Sequence, residues 1–431
     1  MRRLRSVLTA KLTGKLGVSG GNRMMRRREF IMGAAAVLAH AQLPKAAHAL
    51  TPGRSMGLSA DARLPIGFHN FTGTNLANWQ AALAAQERGA VNAIIGCLGD
   101  STVAGQGAAS NDLASNAKSL SWPTQLAKII PSGSWSSVWG DNNVIANAGD
   151  MHSFDARLNR AGWTTTYIKT SGTLCGGFFQ DGPTASSHTF TPTNPIDTIE
   201  VWYAQSPGNG GFTIDVDGGP PLATVNCAGP NSFLKATARC ALGPHSINLQ
   251  RTGNSEAEVY LTGLRTYNSA IKEVSVYNLG GCRWRSADFV VKSYPWSTLP
   301  AVAAIAPNLV IFQAGQVNDW VNHTPLPTVT ANMMAVIDAL RSVNCDVILM
   351  SGVPSKPDYL PSYAAQETYV TNMKKLAYAA NVPFIDVWTL FGGSWNKSAM
   401  FDSLHPNQTG YELIAGYAKA AVLNPTARSA S

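Results

Sequence analysis

Short apolar runs recur along this chain, and segments with helical periodicity lie between them. The runs are Ala93–Leu98, Val144–Ala146, Val274–Tyr277, Leu309–Phe312, Val347–Met350 and Phe384–Val387. The helical segments include Trp122–Ile130, Thr328–Val343, Tyr363–Ala380 and Tyr411–Val422. Runs this short and this uniformly apolar fit strands buried on both faces. Strands separated by helices imply a parallel sheet with helices on both of its faces. Ligands of such a sheet sit outside the carboxyl ends of its strands.

The pattern breaks between about residues 163 and 269. Thr, Gly, Asn and Pro become dense there, and alternation replaces helical periodicity in Thr198–Tyr203, Gly211–Gly218, Ser246–Gln250 and Glu258–Leu261. Short alternating strands between turns predict an antiparallel β-sandwich set into the α/β pattern. Its aromatics Phe178, Phe179, Trp202, Tyr203 and Phe212 suit either core packing or stacking on sugar rings. Core packing is the better default, because alternation buries half of each strand.

Two motifs bracket the α/β part. Gly99-Asp100-Ser101 follows the first apolar run, and Asp402-Ser403-Leu404-His405-Pro406 precedes the last helical segment. A serine hydroxyl is a weak nucleophile until a base takes its proton. Asp402 and His405 are close enough in sequence for the carboxylate to hold one imidazole nitrogen while the other faces Ser101. A third stretch, Gly315-Gln316-Val317-Asn318-Asp319, follows the Leu309–Phe312 run.

These residues resemble the SGNH (GDSL-type) hydrolase superfamily, over roughly residues 91–155 and 271–425. Its first block is matched by Gly99, Asp100 and Ser101, its third by Gly315, Asn318 and Asp319, and its last by Asp402, His405 and Pro406. Gln316 is an extra residue in the third block. The resemblance implies a three-layer α/β/α flavodoxin-like fold with a parallel sheet, plus the inserted β-sandwich, as in some bacterial carbohydrate esterases. It implies a serine esterase with Ser101 as nucleophile, His405 as base, Asp402 orienting it, and Asn318 as a side-chain oxyanion donor. Asp100 and Asp319 are expected to hold their turns. The second block, which supplies a backbone oxyanion donor, has two candidates. Asn278-Leu279-Gly280-Gly281 is favoured, with Gly280 or Gly281 as donor, although strict spacing lands on Arg283. Asn147-Ala148-Gly149 is the rival, and strict spacing there lands on His152. No metal or organic cofactor is implied. The expected partner is an acylated carbohydrate or another small ester, with a lipase, a lysophospholipase or an inactive polysaccharide-binding protein as alternatives.

The net charge of +8 does not indicate nucleic acid. Residues 1–49 hold ten Lys or Arg against the single acid Glu29, which leaves the remainder near −1, without a basic footprint. That segment reads as an export signal. Arg27-Arg28-Glu29-Phe30-Ile31 supplies a twin arginine, Ile31–Ala41 is moderately apolar, and Ala47-His48-Ala49 offers a cleavage site. Met24 or Met25 competes with Met1 as the start. The expected compartment is periplasmic or extracellular, with no stable membrane insertion. The chain then divides into a signal (1–49), a lead-in (50–90), a first hydrolase part (91–162), the insertion (163–269), a second hydrolase part (270–425) and a tail (426–431). Six cysteines remain after residue 49 without zinc-like spacing. Cys227 and Cys240 are the candidate disulfide pair, and Cys97 is expected to be a buried thiol.

Overall fold

The apolar runs become the central strands of a seven-stranded sheet. The computed structural model describes residues 66–109, 117–139, 155–161, 164–167, 174, 177–180, 187–253, 257–313, 317–357 and 362–423, with the backbone alone at 160–161, 164–167 and 177–180. The first part contains β1 (Phe68–His69), α1 (Ala77–Glu87), β2 (Ala93–Gly99), α2 (Ser101–Ala104), α3 (Ala117–Leu120), α4 (Trp122–Ile129) and β3 (Gly133–Ser134). Eleven strands of the insertion follow. They are β4 (Ser137–Trp139), β5 (Leu158–Ala161), β6 (Thr164–Tyr167), β7 (Gly177–Gln180), β8 (Ser187–Phe190), β9 (Ile196–Gln205), β10 (Gly211–Val216), β11 (Ala223–Asn226), β12 (Ser232–Gly243), β13 (Ile247–Thr252) and β14 (Tyr260–Tyr267). The second part holds β15 (Val274–Gly280), α5 (Ser286–Phe289), α6 (Thr298–Ile305), β16 (Leu309–Gln313), α7 (Val317–Val321) and α8 (Leu326–Arg341). It ends with β17 (Asp346–Met350), α9 (Tyr363–Ala379), β18 (Phe384–Ile385), α10 (Val387–Leu390) and α11 (Gln408–Leu423).

The strand order is β1-β18-β17-β16-β2-β15-β3, and every neighbouring pair is parallel except β1 with β18. Taken alone, β2, β15, β16, β17 and β18 run second, first, third, fourth, fifth across the sheet. That is the flavodoxin-like order, whose direction reverses between β2 and β16. Alternate side chains of these strands face opposite cores. Ile95, Cys97, Leu309 and Ile311 pack with Trp122, Tyr411 and Ile414 on one side. Leu98, Val310 and Phe312 pack with Phe289, Trp320 and Val336 on the other. Cys97 is a fully buried free thiol. The expected strand at 144–146 and the rival second block at 147–149 lie outside the described residues, as do residues 1–65 and the tail.

The insertion forms two antiparallel sheets, β11-β10-β13-β8-β5 and β12-β9-β14-β7-β6, with β4 added to β14. They begin before residue 163, since β4 and β5 already belong to them. Phe212, Ile214, Ile247 and Leu249 of one sheet meet Ile199, Val201, Tyr203 and Leu264 of the other. Part of the outer face of β9 and β12 is also covered, around Trp202, Ala204 and Phe233. These residues join Trp139, Tyr277 and Leu279 in the core on one face of the seven-stranded sheet, and the rings of Trp139 and Tyr277 lie 5.2 Å apart. One sheet therefore serves two cores, and all the described residues belong to one compact unit. Trp202, Tyr203 and Phe212 are at most 7% exposed, so burial leaves them no face for a sugar. Cys227 and Cys240 are both free thiols. Cys227 sits just beyond β11 of one sheet and Cys240 in β12 of the other.

Candidate active site

Ser101 is the first residue of α2, directly after β2. Asp100 caps this short helix, and its carboxylate accepts the Thr102 N–H at 2.9 Å. Burial of Asp100 raises its pKa to about 6 against the opposing pull of that bond. Gly105 ends the helix in the left-handed region. The Ser101 hydroxyl is thus held on a tight strand-to-helix turn at the carboxyl edge of the sheet, beside the reversal of strand order.

His405 reaches Ser101 from the loop before α11. Its Nε2 lies 3.0 Å from Ser101 Oγ, and its Nδ1 lies 2.8 Å from Asp402 Oδ2. The other Asp402 oxygen accepts the N–H groups of Leu404 and His405, both at 2.6 Å. Burial alone would raise the Asp402 pKa, but its hydrogen bonds and charge attraction with His405 hold it below the usual value. The loop is pinned from several sides. Trp395 Nε1 donates to Asp402 O, Lys356 N donates to Ser403 O, and Phe401 N donates to His405 O. Gly107 lies directly against His405, at φ +82.

Asn318 stands in α7, just past β16 and next to the strand that carries Ser101. One proton of its amide goes to Trp284 O at 2.8 Å, which leaves a second proton on the same nitrogen. Asp319 is fully buried and accepts both the N–H and the hydroxyl of Ser286, at 2.8 and 2.9 Å. It ties the loop after β16 to the loop after β15, and burial raises its pKa. Asp100 therefore bonds to its own turn, as expected, whereas Asp319 bonds across to Ser286 of the neighbouring loop.

Gly280 and Gly281 occupy a different position from the one expected. The Gly280 N–H donates to Asn278 Oδ1, and the Gly281 N–H donates to Gly99 O. Their amides are committed to the strand end. Their lack of a side chain has a packing reason, since a Cβ on Gly280 would lie 2.2 Å from Ala104 N. Two residues on, Arg283 takes φ +63, a conformation that normally favours glycine. Arg283 occupies the position that strict motif spacing gives to the second glycine, and its backbone is one that glycine adopts readily. Spacing alone pointed to Arg283, but its side chain hid the backbone. Gly107 also carried no signal beyond a pair of nearby glycines. Among the described residues, no three His, Cys, Asp or Glu side chains converge as metal ligands would.

The arrangement is one in which an imidazole takes a hydroxyl proton while a carboxylate fixes its tautomer. Residues 254–413 match the GDSL-like lipase/acylhydrolase family. The chain carries Asn318, Asp402 and His405 within that match. Its fold is similar to that of a peptidoglycan O-acetylesterase at 18% identity and a TM-score of 0.63, covering 84% of this chain and 99% of that one. It is also similar to a putative acylhydrolase from Bacteroides fragilis (20% identity, TM-score 0.31, 36% of this chain and 76% of that one). A family two carbohydrate esterase from Clostridium thermocellum in complex with cellohexaose gives 14% identity and a TM-score of 0.28, over 62% of this chain and 98% of that one. No curated protein matches the sequence.

Proposed function

We propose that this chain is an exported SGNH-type serine esterase that removes O-acetyl groups from a carbohydrate. The observation that carries the reading is the contact of Ser101 Oγ with His405 Nε2, backed by Asp402. Ser101 attacks the ester carbonyl while His405 takes its proton. The tetrahedral intermediate collapses, and His405 returns that proton to the departing sugar oxygen. Water then attacks the acyl-serine with His405 again as base, releasing acetate and restoring the hydroxyl.

The developing oxyanion needs donors aimed at it. We assign them to the second proton of Asn318 Nδ2, the Ser101 N–H and the Arg283 N–H. The strain of a non-glycine residue at φ +63 supports the Arg283 assignment, since such strain persists where the surroundings enforce it, often at working sites. The sugar preference is supported by the acetylesterase whose fold this chain shares.

The twin arginines Arg27 and Arg28 support export, and no helix among the described residues is long and apolar enough to cross a membrane. Two measurements test the proposal. Purified protein should hydrolyse p-nitrophenyl acetate and release acetate from at least one acetylated glycan in a panel that includes O-acetylated peptidoglycan and acetylated xylan. Ser101→Ala should abolish both activities, and full turnover in that variant would end the reading. Conversion of Arg27 and Arg28 to lysine should leave the precursor inside the cell.

A further inference from the structure

Ten large apolar side chains are substantially exposed among the described residues, and only two of them are aromatic, Tyr294 and Phe401. Phe401 lies on the loop that carries Asp402 and His405, and Tyr294 lies on the connection from β15 to β16. Phe401 is 36% exposed and adjoins Asp402, and its backbone N–H binds His405 O. Tyr294 is 40% exposed and lies between α5 and α6, on the loop that leaves β15 past Arg283. Because α6 runs back towards the amino end of β16, its first turn and the residues before it lie at the carboxyl edge of the sheet. The two rings come from opposite faces. Phe401 follows Met400, which packs in the core beneath α11. Tyr294 stacks on Trp296, which packs in the core beneath α8.

The Tyr294 ring is held in place. It is parallel to the Trp296 ring to within 3°, with centroids 5.0 Å apart. Trp296 is 9% exposed, its carbonyl accepts the Leu174 N–H of the insertion, and Tyr294 N donates to the buried Ser297 hydroxyl. One face of Tyr294 lies against the buried Trp296 indole, and the side chain remains 40% exposed. An exposed aromatic ring that is already immobilised loses little entropy on covering a flat apolar surface.

We propose that Tyr294 and Phe401 are two sugar-binding subsites on either side of Ser101, so that the substrate is a glycan chain crossing the sheet edge rather than a single acylated sugar. The apolar face of one pyranose ring lies on Tyr294, another lies on Phe401, and the acylated unit sits between them. This rests on the carbohydrate esterase reading above and extends it to a polymer. The sandwich contributes by bracing Trp296 through Leu174, while its own buried aromatics stay in the core.

The test compares kcat/KM on acetylated xylose and on acetylated xylo-oligosaccharides of increasing length, with p-nitrophenyl acetate as the small ester. The wild type should gain with length. Tyr294→Ala and Phe401→Leu should each lower the ratio of oligosaccharide to small-ester activity by roughly three- to tenfold, the scale of one aromatic stack. Tyr294→Phe should keep the ratio, because the ring remains. A protein that cleaves p-nitrophenyl acetate through Ser101 yet shows no dependence on length overturns the subsites and leaves the esterase reading intact. Equal losses on both esters in Tyr294→Ala also overturn them. Absence of Ser101-dependent cleavage of any ester overturns the esterase reading itself.

Discussion

Gly107→Ala should disable the site without replacing any group that takes part in the chemistry. A Cβ at this position would lie 2.8 Å from His405 Cβ, 2.9 Å from Pro406 O and 3.1 Å from Phe401 Cβ. Carbon atoms pack best at about 3.5–4.0 Å, so the 401–406 loop must retreat by roughly 0.7 Å. The Ser101–His405 contact of 3.0 Å would then stretch towards about 3.7 Å, outside hydrogen-bond range. A misplacement on that scale costs on the order of 10²-fold in rate. Stability should fall as well, by about 1–2 kcal/mol for the left-handed backbone and about 1–3 kcal/mol for overpacking. Gly392→Ala is the control, because Gly392 has φ +83 but nothing within 4 Å of its added Cβ. It should show the backbone cost alone and keep full turnover. The assays are urea denaturation and p-nitrophenyl acetate hydrolysis under conditions where both variants are folded. A folded Gly107→Ala protein that keeps more than about a third of wild-type kcat would refute the reasoning from displacement.

Asn318→Ala should lower kcat by on the order of 10²–10³, as for loss of one oxyanion donor, and an unchanged kcat would remove Asn318 from that role. Arg283→Gly should keep turnover within about threefold, because a backbone N–H does the work, and stability should be unchanged or higher by up to about 1 kcal/mol as strain relief offsets the freer unfolded chain. A larger loss of activity would mean that the arginine side chain is used. Asp402→Asn should lower kcat by up to about 10⁴, through loss of the correct tautomer, while leaving more activity than His405→Ala. In the sandwich, His245 Nδ1 faces Asp217 Oδ2 at 2.7 Å and its Nε2 faces Ala241 O at 2.8 Å. Both ring nitrogens meet acceptors, so the imidazolium is favoured and its pKa is raised, first by the hydrogen bond to Asp217. A raised pKa gives stability that is complete below the ordinary histidine value and lost as pH rises through the folded one. The Tm difference between wild type and His245→Gln should therefore be larger near about pH 5 than near about pH 9, and equal differences would contradict it.

Much of the hydrolase was legible because strand burial writes itself directly into the sequence. Ala93–Leu98, Leu309–Phe312 and Val347–Met350 each carry enough consecutive apolar residues to mark a two-sided strand. The two-residue strands β1 and β3 carry no period and could not be seen. The long edge strand Ser232–Gly243 was passed over because one of its faces is studded with Lys235, Thr237 and Arg239. The contact of Ser101, His405 and Asp402 was readable because local motifs carry two of its partners and the sheet topology brings in the third. The backbone donors proposed for the oxyanion were not readable. Backbone donors leave no side-chain signature, so Gly280 and Gly281 drew attention for a packing role, while Arg283 concealed a glycine-like turn. Trp202, Tyr203 and Phe212 were ambiguous because alternation cannot say whether the second face of a strand meets water or another layer.

The sheet that carries Trp202 and Phe233 has no solvent side along that stretch, and this limits how the protein can be cut. Excising the insertion would uncover Tyr277 and Leu279 on the strand next to β2, and the liberated sandwich would present Trp139, Trp202 and Phe233 to water. Each fragment would gain a sticky wound in place of a clean linker. Heat or urea should therefore melt the catalytic and sandwich portions together in a single transition, without a stable half-molecule. Transplanting the sandwich onto another esterase as a ready-made tool for holding sugars would fail for the same reason.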